Sequence, residues 1–313
     1  MRKSVSGAWD MTTKTNGFYN ETENRFHVMG FGSSHMYCTV NPVALWEKAG
    51  IPSYLLTSQQ QPPCVTYYYI KEALKTQSPK VVLLETYMFT LPPPATYDEG
   101  VYHDATDFLK QSKNRRDLIN ELVPKEDRIN FHLPFLKYHT RWEELGETDF
   151  DPTYLDKRDW LKGYIFLKDA QPISVDSSIA NSEVRIPIPE ENLEYLNKIV
   201  ELSKEYNFKL LFIAAPYNVS KEEHGVFNSI SDFSAQNGID FIDFNKLFNE
   251  LHFDTQTDFY DNGHTNAYGS EKATNYLAEY LKNNYNLKNH SSDEIYSDFN
   301  DSVEKYNTEK MSD

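Results

Sequence analysis

Phe26-His27-Val28-Met29-Gly30-Phe31-Gly32-Ser33-Ser34-His35 is a short β-prone run closed by a glycine and two serines, and the helical pattern of Val43 to Lys48 follows it after Asn41-Pro42. The spacing predicts strand, tight turn, helix. Ile51 to Thr57 gives a second strand and Cys64 to Thr76 a helix whose Tyr68, Ala73 and Leu74 can face a sheet. Val81-Val82-Leu83-Leu84-Glu85-Thr86-Tyr87 is a continuous apolar run of the kind buried on both faces in a parallel sheet. Three βα units in series therefore open the chain.

The alternation stops over residues 91–189, which begin with Pro92-Pro93-Pro94 and carry helical patterns near 104–122 and 137–145. This stretch reads as an insertion over the sheet. Alternation resumes with a helix over 190–206, the strand Lys209 to Ala215 ended by Pro216, a helix near 222–237, the strand Ile239 to Phe244 and a last helix over 267–284. Five strands separated by helices predict a three-layer α/β/α sandwich with a five-stranded parallel sheet, flavodoxin-like in kind, whose chemistry lies at the carboxyl ends of the strands. Residues 1–24 are polar and aperiodic and read as an arm or linker, 25–288 as one domain, and 289–313 as an acidic tail.

The 313 residues suffice for one large α/β domain. A net charge of −16 without a Lys/Arg cluster repels phosphate backbones and anionic bilayers, so nucleic-acid binding is not expected. No stretch approaches the roughly 18 to 20 apolar residues of a membrane span, and residues 1–23 lack a signal-peptide pattern, so the chain as written reads as soluble. Cys38 and Cys64 lie outside any metal-ligand spacing and read as small buried groups, with a single bridge between them as the alternative. No H-x-x-x-H, G-x-G-x-x-G or Walker pattern is present, so neither a catalytic metal nor a nucleotide cofactor is indicated. At 14% aromatic residues, including 22 Tyr and 19 Phe, the chain has rings to spare for packing or for stacking against sugars.

A hydroxyl becomes a nucleophile when a base takes its proton and an acid orients that base. Ser34 stands where the first strand turns into its helix, a position that exposes the side chain at the sheet edge and turns free helix N–H groups toward a developing oxyanion. Serine is also favoured there simply as a cap. Asp261-Asn262-Gly263-His264 precedes the last helix, with carboxylate and imidazole three apart and a glycine between them that permits a tight backbone path. A helix-capping loop is the plainer reading of that piece. Tyr138-His139-Thr140-Arg141-Trp142 brings His139 and Arg141 together with two rings, suited to gripping an anionic or sugar ligand, or else to an amphipathic helix with Trp142 inward. His35 either lines the pocket or merely fills the first helical turn.

Taken jointly, Gly32-Ser33-Ser34 and Asp261-Asn262-Gly263-His264 resemble the G-D-S-type and D-x-x-H blocks of the SGNH (GDSL-like) hydrolase superfamily over about residues 26–285. The Gly-Ser-Ser-His form is similar to the cell-envelope branch that includes DltD and the alginate-acetylation proteins. The resemblance implies Ser34 as nucleophile, His264 as base and Asp261 as its orienting acid, acting on an acylated cell-envelope glycan as esterase or acyltransferase. A membrane-bound O-acyltransferase is then the implied partner. Location is extracytoplasmic if an N-terminal anchor has been removed, otherwise cytoplasmic. Two family blocks differ here: the glycine after strand two is replaced within Thr57-Ser58-Gln59-Gln60-Gln61, and the Asn after strand three by Glu85-Thr86-Tyr87. A backbone N–H of Gln60 or Gln61, the Gln61 amide or the Tyr87 hydroxyl are the candidate oxyanion donors. A fold-retaining glycan-binding protein with a degenerate site is the alternative.

Overall fold

The computed structural model describes residues 9, 11–92, 98–133, 136–137, 143 and 158–312. Strands β1 (Val28–Phe31), β2 (Ser53–Leu55), β3 (Val81–Glu85), β4 (Lys209–Ala214) and β5 (Asp240–Asp243) form one sheet in the order β2-β1-β3-β4-β5. Every pairing is parallel, with Val28 opposite Val81 and Phe31 opposite Leu84. The chain thus builds outward from β1 to β2, then crosses back to start again at β3. That reversal opens a crevice between the carboxyl ends of β1 and β3, where ligands of such sheets bind.

In chain order the helices are α1 (Met11–Tyr19), α2 (Ser34–Thr39), α3 (Pro42–Ala49), α4 (Pro63–Ala73), α5 (Tyr87–Thr90), α6 (Glu99–Thr106), α7 (Lys113–Leu122) and α8 (Arg128–His132), followed by α9 (Ser177–Ala180), α10 (Glu190–Tyr206), α11 (Lys221–Gln236), α12 (Ala267–Asn284) and α13 (Ser297–Met311). Successive strand residues point to opposite faces, which divides the core in two. Val82 and Leu84 pack with Tyr69 of α4, Ile199 of α10 and Phe227 of α11. Val81 and Leu83 pack with Met36 of α2, Leu45 of α3 and Leu277 of α12. Helices cover both faces, and the protein is the expected three-layer α/β/α sandwich. Cys64 belongs to the first core and Cys38 to the second, both as free buried thiols rather than a bridge.

Two terminal expectations are corrected. The supposed arm contains α1, whose Met11 and Phe18 are buried and whose Lys14 pairs with Asp159 at 3.0 Å. The supposed tail contains α13, which packs on α3: Phe299 stacks on Trp46 with ring centroids 4.9 Å apart, and Trp46 Nε1 donates to Asn300 at 2.9 Å. Buried Lys162 donates to Glu21 at 2.7 Å and to Asp298 at 2.9 Å, and Arg25 also pairs with Asp298, so one ionic cluster ties the N-terminal region, the insertion's return and α13 together. Within the insertion the single helical pattern near 104–122 is two helices. Ser112 breaks it by capping α7, accepting the Arg115 N–H at 3.2 Å. Fully buried Arg115 then crosses to the carbonyls of Thr106 and Phe131, at 2.8 Å each, and fixes α6 and α8 against α7. Of the pattern near 137–145, all but two residues lie outside the described ones.

Candidate active site

Gly32 ends β1 at φ +152°, and a Cβ there would lie 2.6 Å from Glu85 Cβ. Only glycine lets β1 pass so close to the end of β3. Ser33 next caps α2: its Oγ accepts the His35 N–H at 3.3 Å and donates to Glu85 Oε2 at 3.0 Å. The other oxygen of Glu85 accepts the Tyr87 N–H at 2.5 Å. Glu85 is buried, and that burial pushes its carboxyl up to about 7 against the pull of the donated hydrogen bonds. A buried carboxylate thus clamps the turn carrying Ser34.

The second half of the site is a short hairpin. Phe259 bridges Thr265, and the Tyr260 N–H donates to the His264 carbonyl at 2.9 Å. Asp261 Oδ1 accepts the Gly263 N–H at 2.8 Å, which turns the carboxylate back toward the imidazole. The sequence expectation that the glycine serves for its backbone freedom is corrected, since Gly263 has no positive φ. Its N–H is what matters, and any residue except proline carries one. Thr265 Oγ1 donates to the Cys38 carbonyl of α2 at 2.8 Å, and the Asn218 N–H donates to the Asn262 carbonyl at 3.0 Å. Asn266 then caps α12, accepting the N–H groups of Tyr268 and Gly269. The hairpin is thereby fastened to the helix that carries Ser34.

These halves bring Ser34 Oγ to 2.8 Å from His264 Nε2, while His264 Nδ1 lies 2.9 and 3.0 Å from the two oxygens of Asp261. A carboxylate only accepts, so Nδ1 carries the proton and Nε2 is left to accept from the serine hydroxyl. The His264 side chain is 21% exposed and that of Asp261 40%. The arrangement can therefore take a proton from Ser34 at an edge open to solvent.

His35 stacks on Tyr87 at 4.0 Å between centroids, meets Tyr217 edge-on at 4.6 Å, and lies 5.5 Å from the His264 ring. Burial, with His264 nearby, holds its pKa well below the usual value. It backs His264 as a neutral ring, and Tyr87 is the ring behind it. Gln60 takes a left-handed backbone at φ +44° and is exposed, lining a cleft of about 950 Å³ that runs past Met88 under α6, α7 and the start of α10. Ser34, Asp261 and His264 are not part of that lining. The Gln61 amide, a candidate donor from the sequence, is instead buried and spent locally: Nε2 donates to Thr66 at 2.9 Å and Oε1 accepts from Ser58 at 3.3 Å. His139 and Arg141 lie outside the described residues.

Three site residues went unread in the sequence. Glu85 is the first. Tyr37, one turn after Ser34 on the same helix, is buried, and that burial, with nearby Cys38 and Asp104, pushes its phenol upward and keeps it protonated. Trp9, from the supposed arm, meets the His264 ring at 5.6 Å. The i, i+3 spacing of Ser34 and Tyr37 was the one signal available for either ring. Sequence comparison finds no protein-family model and no curated protein that matches the chain.

Proposed function

We propose that the chain is a serine-dependent O-acyl esterase or O-acyltransferase of the SGNH type, acting on an acylated cell-envelope polysaccharide or teichoic-acid-type glycan outside the cell membrane. The observation that carries it is the 2.8 Å contact between Ser34 Oγ and His264 Nε2 with Asp261 held on the opposite nitrogen. His264 takes the Ser34 proton as Oγ bonds to the ester carbon. The tetrahedral oxyanion is met by the Ser34 N–H, which as the first residue of α2 has no intrahelical acceptor. Collapse expels the sugar oxygen, which takes the proton from His264 and leaves an acyl-serine. Water or a second sugar hydroxyl, deprotonated by His264, then attacks the acyl carbon and restores Ser34. The left-handed backbone of Gln60 lies within the stretch where the resembling family has a glycine, which agrees with the same reading. A membrane-bound O-acyltransferase is the partner class this reading suggests. Among the described residues no helix is long and apolar enough to cross a membrane.

The degenerate, glycan-binding alternative draws support from the internal bonds of the Gln61 amide and from the exposure of Asp261. One experiment separates the two. A fluorophosphonate probe should label the intact protein on Ser34, and Ser34→Ala should lose both labelling and p-nitrophenyl acetate turnover by a factor on the order of 10⁴ or more, with an unchanged circular dichroism spectrum. Absence of labelling in the intact protein would leave only the binding role.

A further inference from the structure

Trp9 touches both halves of the site at once. Its indole centroid is 5.6 Å from His264 and 5.9 Å from Tyr260, both in the base hairpin, and 6.1 Å from Tyr37 on the nucleophile helix. All three rings meet it edge-on, at 65° to 69° between planes. Yet 37% of Trp9 remains exposed, whereas Trp46, which serves packing between α3 and α13, is 2% exposed. An anchoring indole would be covered in the same way. Trp9 instead keeps part of its apolar surface open to water beside the His264 imidazole, a surface that a ligand would cover favourably.

The ligand class follows from the surroundings. An aliphatic acyl chain wants an enclosed apolar channel, but next to Tyr260 stands the Asp261 side chain, 40% exposed, and the site opens directly to solvent. A pyranose has a flat C–H face that packs on an indole and a rim of hydroxyls that stays solvated or meets polar groups. Trp9 meets the His264 ring at 5.6 Å and His264 Nε2 lies 2.8 Å from Ser34 Oγ, so a ring packed against Trp9 carries its substituents to the nucleophile.

We propose that Trp9 is the stacking platform of a sugar subsite, holding the pyranose ring whose ester faces Ser34. The reaction part of this rests on the esterase reading above; the binding part does not. In Ser34→Ala protein, titration with a panel of partly O-acetylated xylo-, manno- and chito-oligosaccharides should quench tryptophan fluorescence, and Ser34→Ala/Trp9→Phe should lose most of that quench. In the active chain, Trp9→Ala should lower the ratio of kcat/KM for the best oligosaccharide to kcat/KM for p-nitrophenyl acetate about tenfold, mainly through KM, since a good ring contact is worth about 1.4 kcal/mol. Trp9→Phe should restore part of it. An unchanged ratio, or no quench by any member of the panel, overturns the subsite. A quench in a protein that neither turns over p-nitrophenyl acetate nor takes the fluorophosphonate sustains the subsite and sinks the esterase reading instead.

Discussion

Gly32 and Gly263 each stand within two residues of a member of the Ser34–His264–Asp261 array, one in each of the two loops that meet at Ser34, yet they do different work. Around Gly32 the backbone is at φ +152° and the Cβ position is already filled by Glu85. Around Gly263 the nearest atoms to a Cβ are Asp261 Oδ1 at 3.5 Å and His35 Nε2 at 3.7 Å, ordinary contact distances. The nucleophile turn is thus held by buried packing against β3, and the base hairpin by hydrogen bonds of its own on a half-exposed edge. Sequence motifs weigh the two glycines alike; the structure does not.

The largest effect should come from breaking the tighter side. Gly32→Ala forces a side chain into a backbone region that L residues avoid and onto Glu85 Cβ, which cannot swing away as a side-chain tip could. We expect a loss of stability on the order of 4 kcal/mol in urea unfolding, with the proposed esterase activity down about 10²-fold because Ser34 is displaced from His264. Near-normal stability would mean that β1 and β3 separate easily, and the contrast between the two loops would fall.

Glu85 gives a second, smaller handle on the same side. Its folded-state carboxyl sits at about 7 against 4.5 for a free one, so the folded protein binds a proton that the unfolded chain has released. Stability from this group is therefore present in full below pH 4.5 and is lost as pH rises toward 7, on the order of 3 kcal/mol across that window. Glu85→Gln keeps an acceptor for the Tyr87 N–H and a partner for the Ser33 hydroxyl while removing the titration. The difference in unfolding free energy between variant and wild type should shift in favour of the variant from pH 4.5 to pH 7.5. Parallel stability curves would show that Glu85 carries no abnormal proton.

What could be read from the sequence follows the strength of its periodic signals. Val81 to Leu84 can only be a strand buried on both faces, and Gly32 and Pro216 mark where β1 and β4 end, so the layers and the strand count were legible. The triad was legible because its two pieces fall at defined places in that pattern, after the first strand and before the last helix. Helix α1 was not, because Met11 and Phe18, seven residues apart, are its only buried large apolar residues and the residues between them are largely polar. Helix α13 carries Phe299 and Tyr306 at the same spacing, masked by acidic neighbours. Glu85 was read only as part of the third strand and of the block that replaces the family Asn, and the Gln61 amide as a candidate oxyanion donor. A carboxylate's burial and an amide's local partners depend on contacts such as Ser33 and Thr66, which a linear reading does not supply. Trp9 was out of reach for the same reason, since nothing in an otherwise polar segment says which loop it will cover.

The smallest expected effect lies at the other glycine, and it tests whether the base hairpin is held as described. A methyl group on Gly263 meets Asp261 and His35 at ordinary van der Waals distance, the backbone there has no positive φ, and the N–H that orients Asp261 is kept. Gly263→Ala should therefore change stability by no more than about 0.5 kcal/mol and fluorophosphonate labelling by less than about threefold. Gly263→Pro removes that donor, besides fixing φ and restricting Asn262, and frees the Asp261 carboxylate to swing into water. If alanine slowed labelling as much as proline, crowding at His35 rather than the lost hydrogen bond would govern the hairpin, and the two loops would be alike after all.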